Sequence, residues 1–285
     1  MKKSFLIGVI VLGFLLVSNI VFGDFYVIAT KPRLAGQEIK ALPYTITVPG
    51  FYYLTKNLTA TGTGITVDDD HVVIDLMGFN IIGPGRETAY NDGIKLNNTS
   101  NVEIRNGTIR NFGVHGVSGT TSFIKGIRII NIRAISNGYN GISLTPTVGS
   151  LVEGCTTADN DHDGIAVGRG ATVSGNISYE NGRDGIFFNY PGRTIIGNTV
   201  YNNAENGIYT SSGATVTSNT AYGNTENGFR IGSGCTVTNN TAYSNNQYGF
   251  YLSSHNLFWQ NTGYSNTLGN YSGCSTCTIG ENYVP

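Results

Sequence analysis

Charge is scarce in this chain. Only 12% of its 285 residues are Asp, Glu, Lys or Arg, about half the usual share. The formal net charge is −1, and −3 once Lys2 and Lys3 are set aside. That balance excludes a nucleic-acid surface built on bulk positive charge. Beyond the N-terminus no stretch is apolar enough to enter a membrane, so no span is expected once the first segment is removed. That first segment reads Met1-Lys2-Lys3, an apolar run from Phe5 to Val17, then Val21-Phe22-Gly23 before Asp24. A basic start, an apolar core and small residues at −3 and −1 predict a signal peptide over residues 1–23 and a secreted, extracytoplasmic protein. An uncleaved anchor is the alternative.

What the chain has is a phrase. Asn/Asp-Gly-Ile recurs as Asp92-Gly93-Ile94, His115-Gly116-Val117, Asn140-Gly141-Ile142, Asp163-Gly164-Ile165, Asp184-Gly185-Ile186, Asn206-Gly207-Ile208, Asn227-Gly228-Phe229 and Tyr248-Gly249-Phe250. The apolar residue steps by 23, 25, 23, 21, 22, 21 and 21. Periods of this size mark a solenoid, in which each repeat buries its apolar face against its neighbours. A second phrase, Asn-x4-Asn, keeps the same period: Asn106/Asn111, Asn176/Asn181, Asn198/Asn203, Asn219/Asn224, Asn240/Asn245 and Asn261/Asn266, with Cys155/Asn160 in the same pattern and Asn131/Asn137 one residue longer. The runs between turn signals are three to five residues long and rich in β-branched and aromatic types. They are too short for helices. Three short strands per repeat then pair in parallel, coil on coil, ~4.8 Å apart. Stacked like charges would repel, which accounts for the low charge. A column of Asn can instead pass amide hydrogen bonds from coil to coil. Asn106, Asn131 and Cys155 are expected to continue the Asn176 to Asn261 column.

With Leu42-Pro43-Tyr44-Thr45-Ile46-Thr47-Val48-Pro49-Gly50-Phe51-Tyr52-Tyr53-Leu54 and Val72 to Gly83 as opening coils, the chain resembles the right-handed parallel β-helix repeat family of the pectate-lyase-like superfamily, over roughly residues 39–272. The resemblance implies an all-β fold: a single right-handed solenoid of about ten coils over residues 61–272, an N-terminal cap and opening coil over 24–60, and a C-terminal cap over 273–285. It implies little about activity, since lyases, hydrolases, epimerases and adhesins share the scaffold. Lyases and epimerases of the superfamily use a neutraliser for a uronate carboxylate and a base for the C5 proton. The Arg-x-Lys, paired-Asp and Asp-Pro-His signatures of its enzymes are absent here.

Four groups of residues could carry function. Asp159-Asn160-Asp161-His162-Asp163-Gly164 matches the start of a calcium loop, but the bidentate acid position holds Gly170. Stacking adds Asp184 over Asp163. Ca²⁺ on Asp159, Asp161, Asp163 and Asp184, acid–base work there, and an ordinary solvated turn remain open; no cofactor is required. The column Tyr139, His162, Arg183, Glu205, Glu226, Gln247 adjoins a column of Asp92, His115, Asn140 and Asp163. His162, Arg183, Asp163 and Asp184 are the catalytic candidates. Tyr179, Tyr201, Tyr222, Tyr243 and Tyr264 fall on one column, three residues after each ladder position. If Ser178, Val200, Ala221, Ala242 and Gly263 point inward, the tyrosines form an outward stripe on which a neutral glycan could stack. A register one residue off would bury them. Finally, Cys155 and Cys235 lie nearly four coils apart, too far to pair. Cys274 and Cys277 suit a local disulfide in the C-terminal cap, or a metal or redox CxxC. The expectation is a monomer that binds extended polysaccharide, with a polysaccharide lyase or epimerase as the alternative.

Overall fold

The computed structural model describes residues 36–285 apart from 88, 89, 120 and 122. The expected signal segment lies outside the described residues. Among them there are 31 short strands and no helix, so no helix is long and apolar enough to cross a membrane. Pairing between strands is parallel throughout, each strand matching its equivalent one coil later. One sheet holds eleven strands, one per coil, from Tyr44–Ile46 to Gly269–Ser272. The solenoid thus has eleven coils, and parallel pairing extends from Gln37–Glu38 to Thr278–Ile279.

Each coil carries three ladders. The Gly-Ile ladder is the eleven-stranded sheet. Its inward column runs Ile65, Ile94, Val117, Ile142, Ile165, Ile186, Ile208, Phe229, Phe250, all fully buried. Each such side chain contributes roughly 1.5–3 kcal/mol on leaving water. The Thr-Val-Thr ladder includes Thr194–Ile196, Thr215–Thr217 and Thr236–Thr238. The tyrosine ladder includes Ile177–Tyr179, Thr199–Tyr201, Thr220–Tyr222, Thr241–Tyr243 and Thr262–Tyr264. Gly precedes the inward Ile because coils touch there. A Cβ on Gly207 would sit 2.6 Å from the Gly228 carbonyl oxygen and 2.8 Å from Asn224 Nδ2.

The two asparagine columns sit at the bends on either side of the tyrosine ladder. Asn198 is typical of the first. Its backbone N–H and its Nδ2 both donate to Asn219 Oδ1, each at 2.9 Å, and Nδ2 also donates to the Val173 carbonyl at 3.0 Å. The chain of amides runs Asn176, Asn198, Asn219, Asn240, Asn261, Asn282. The second runs Asn137, Asn160, Asn181, Asn203, Asn224, Asn245, Asn266. Buried turn backbone is satisfied without charge.

One part of the expected column differs. Cys155 occupies the slot, its N–H donating to Asn176 Oδ1 at 2.8 Å, but Asn106 and Asn131 do not. Ile132 pairs with Gly107, and both stand one residue later than those asparagines. Asn106 and Asn131 instead take left-handed backbone, φ 59° and 52°, a conformation Asn tolerates better than most residues. Ile132 is buried in the slot, which also explains why Asn131 to Asn137 looked one residue too long. Without the amide the bend relaxes, and Glu103–Arg110 and Arg128–Ile135 run on as eight-residue strands.

Cys274 and Cys277 are joined by a disulfide, while Cys155 and Cys235 are free and buried. Cys277 Sγ also accepts the Asn256 N–H at 3.3 Å, closing the column above Cys235. Burial pushes the Cys155 thiol up to about 12 and raises Cys235 as well. Native protein should therefore take up no iodoacetamide, and unreduced, denatured protein two labels. Mass spectrometry that finds four labels, or a Cys155–Cys235 crosslink, would contradict this arrangement.

Candidate functional site

The corner before the Gly-Ile ladder holds two adjacent columns. In the inner one, each side chain accepts the backbone N–H of the residue one coil later. Asp92 Oδ1 takes His115 N–H at 3.1 Å, His115 Nδ1 takes Asn140 N–H at 3.3 Å, Asn140 Oδ1 takes Asp163 N–H at 3.0 Å and Asp163 Oδ1 takes Asp184 N–H at 3.3 Å. Asp184 Oδ1 then accepts both Asn206 N–H and Asn206 Nδ2 at 2.9 Å. Asp163 and Asp184 are 6% and 2% exposed. Burial pushes their carboxyls up to about 6 and about 7. Burial likewise lowers His115, with Asp92 opposing it.

In the outer column, backbone bonds carry Tyr139 to His162, Arg183, Glu205, Glu226 and Gln247 in register. The His162 ring stacks on Tyr139 at 3.6 Å, and His115 meets the other side of Tyr139 edge-on at 5.2 Å. His162 is lowered, first by burial and then by the Arg183 cation. Arg183 Nε donates to Glu205 at 3.0 Å. The structure thus brings His162, Arg183, Asp163 and Asp184 to one corner. The carboxylates accept backbone N–H groups and Arg183 pairs with Glu205, while His162 stacks on Tyr139 with its Nδ1 buried and without a hydrogen-bond partner.

The four calcium candidates are divided. Asp159 and Asp161 hold the guanidinium of Arg86, at 3.1 Å for Asp159. Asp163 and Asp184 belong to the inner column. Among the described residues no group of three or more His, Cys, Asp or Glu is placed to hold a metal ion. Arg86 belongs to a loop that lies across Gly138, whose Cβ would come within 2.4 Å of the Arg86 carbonyl oxygen. Beneath that loop is a cavity of ≈490 Å³ lined by residues including Val114, His115 and Tyr139. Arg86 lies more than 70 residues from its partners, so the sequence holds no signal of it.

The tyrosine column faces outward. Ser178, Val200, Ala221 and Ala242 are fully buried, and strand alternation sends the tyrosines the other way. Neighbouring rings stack at 4.9, 4.9, 4.9 and 5.1 Å with interplanar angles of 1°, 4°, 6° and 2°. This changes the expected mode of contact. The ring faces are covered by one another, so a sugar cannot stack on them along the column. What is presented is a wall of ring edges and phenolic hydroxyls, repeated once per coil. Beside it runs the outward column Thr199, Thr220, Thr241, Thr262.

A second aromatic column escaped the sequence reading. Phe187, Tyr209, Arg230 and Tyr251 succeed one another on the outer face of the Gly-Ile ladder. Phe187 and Tyr209 stack at 5.2 Å, and the Arg230 guanidinium lies 5.1 Å over Tyr209. Polar grooves of ≈380 Å³ and ≈260 Å³ flank Arg230. The signal was available: each of these residues directly follows the repeated inward Ile or Phe.

The family described as right handed beta helix region matches residues 59–215 and 186–268, and the chain belongs to that family. Among curated proteins none matches it. The Dettilon tailspike protein (gp208) is similar in structure, with a TM-score of 0.62 and 16% identity over 87% of this chain and 53% of that one. This chain therefore spans about half of the tailspike's length. The A-module of mannuronan C-5 epimerase AlgE6 from Azotobacter vinelandii gives 0.61 and 16% over 87% of this chain and 78% of the module. Pectate lyase Pel9A gives 0.56 and 16% over 82% and 71%. At such identities the likeness is one of fold.

Proposed function

We propose that the protein is exported and binds an extended polysaccharide along the tyrosine ladder. The observation that carries this is the uncharged, periodic outer surface. In the four coils that begin at Thr194, the outward positions of the Thr-Val-Thr and tyrosine ladders are Thr, Ile, Leu, Trp and Tyr, with no charged side chain among them. Hydroxyls repeated at ~4.8 Å offer an extended chain weak contacts that add along its length. Two of the fold's neighbours, the mannuronan epimerase and the pectate lyase, are named for acting on polysaccharides, which supports the same class of ligand. The commitment of Arg183, Asp163 and Asp184 to Glu205 and to backbone N–H groups favours binding over lyase or epimerase chemistry.

A glycan panel with isothermal titration on the hits tests the proposal. Replacing Tyr201, Tyr222 and Tyr243 together by Ala should weaken binding about tenfold to a thousandfold, the loss of three hydrogen bonds, with unfolding still cooperative. A wild-type protein that binds no glycan, or a folded triple variant that binds as well as wild type, would overturn it.

A further inference from the structure

We propose that the groove beside Arg230 is a second glycan subsite, one that takes a carboxylate or sulfate group on a sugar ring; this rests on the polysaccharide reading above. Among the described residues Arg86, Arg105, Arg128 and Arg183 each have a carboxylate partner within 3.1 Å, while Arg110, Arg133, Arg169, Arg193 and Arg230 have none. Arg230 lines both grooves. Its guanidinium is exposed, lies over Tyr209 and makes no hydrogen bond to the protein. Glu226 lines the smaller groove with it yet stays beyond ion-pair distance.

The larger groove is built for an anion. Tyr209 and Tyr251, the latter 42% exposed, lie one coil to either side of Arg230. Ser211, Ser233 and Ser253 supply hydroxyls, and no Asp or Glu lines it. Behind Ser211 stands a second guanidinium. Arg193 Nη1 donates to Ser211 Oγ at 3.1 Å and Nε to the Gly168 carbonyl at 3.3 Å. Arg193 is 3% exposed, has no carboxylate partner, and its Nη2 is buried without an acceptor. One guanidinium in a groove whose lining holds no carboxylate, with a second bonded to its Ser211, leaves positive potential uncompensated there, and a guanidinium with one face on an aromatic ring keeps its in-plane N–H fork free for an oxyanion.

The experiment uses three probes: polygalacturonate oligomers, dextran sulfate oligomers and neutral β-glucan oligomers. Each is titrated into wild type, Arg230→Gln, Arg230→Lys and the triple tyrosine variant at low and moderate salt. An acidic probe should bind wild type, lose about ten- to a hundredfold in affinity with Arg230→Gln, recover part of it with Arg230→Lys, and weaken as salt rises. Which acidic probe responds decides between carboxylate and sulfate. Neutral oligomers should be indifferent to residue 230. An acidic probe that binds Arg230→Gln as tightly as wild type, or no acidic binding at all, overturns the subsite. If neutral oligomers still bind and are lost in the tyrosine variant, the subsite alone has failed. If no probe binds anything, the polysaccharide reading has failed first.

Discussion

Asn219→Ala should lower the free energy of unfolding by about 3–5 kcal/mol, as much as truncating a well-packed core leucine. The side chain it removes is fully engaged. Oδ1 accepts from Asn198 N–H and Nδ2 at 2.9 Å. Nδ2 donates to the carbonyls of Ile195 and Thr217 at 2.9 Å and to Asn240 Oδ1 at 3.0 Å. Alanine leaves the buried Asn198 N–H without an acceptor, at roughly 1–3 kcal/mol, and removes further hydrogen bonds to Asn198 Nδ2 and to the Ile195 and Thr217 carbonyls, at about 1 kcal/mol each. Asn219→Asp should cost at least as much at pH 8, because its carboxylate would be buried against the Ile195 and Thr217 carbonyl oxygens that now accept from Nδ2. Urea titration followed by circular dichroism measures both. A loss below about 1 kcal/mol for the alanine variant would mean that the amide column is incidental to the fold.

The second large effect has the opposite sign. Asp184→Asn should stabilise the protein at pH 8 and leave it nearly unchanged at pH 4. The Asp184 carboxyl is pushed up to about 7 in the folded chain, against about 3.9 when unfolded. Between those values the folded state holds a proton the unfolded state has lost. The contribution of Asp184 is therefore complete below about pH 4, and falls as pH rises to about 7. Asparagine accepts the same Asn206 bonds and carries no charge, as Asn206 itself does for Asn227 at 2.8 Å. The gain at pH 8 is on the order of 4 kcal/mol, at about 1.4 kcal/mol per pKa unit, and Asp163→Asn should give less, in line with its smaller shift. Melting curves across pH 4 to 8 that stay parallel for wild type and Asp184→Asn would contradict the burial of that charge.

Asp163 and Asp184 stand in a column where asparagine fills the same role at Asn140 and Asn206. The sequence showed the two residues in register, because the repeat aligns them. It could not show that their oxygens are committed to backbone N–H groups, since that depends on which way each side chain leans along the stack. The same limit explains the tyrosines. Alternation correctly sent them outward, but a period of one coil also brings identical flat rings face to face, and that removes the faces from use. At Asn106 and Asn131 the spacing misled for another reason. Asparagine serves both the amide slot and the left-handed position before it, and only the inward Ile132 distinguishes the two. Arg86 on Asp159 and Asp161, and Arg230 on Tyr209, differ in the same way. The first pair is far apart in sequence and invisible there; the second sits one period apart and could have been read.

The claim that the tyrosine ladder binds glycan through ring edges and hydroxyls is tested most directly by replacing Tyr201, Tyr222 and Tyr243 together with Phe. The rings and their stacking remain, so the melting temperature should stay close to that of wild type. Only the three hydroxyls are lost. Titration with the best-bound oligosaccharide should show affinity reduced at least about tenfold. A folded triple Phe variant that binds as tightly as wild type would contradict the account.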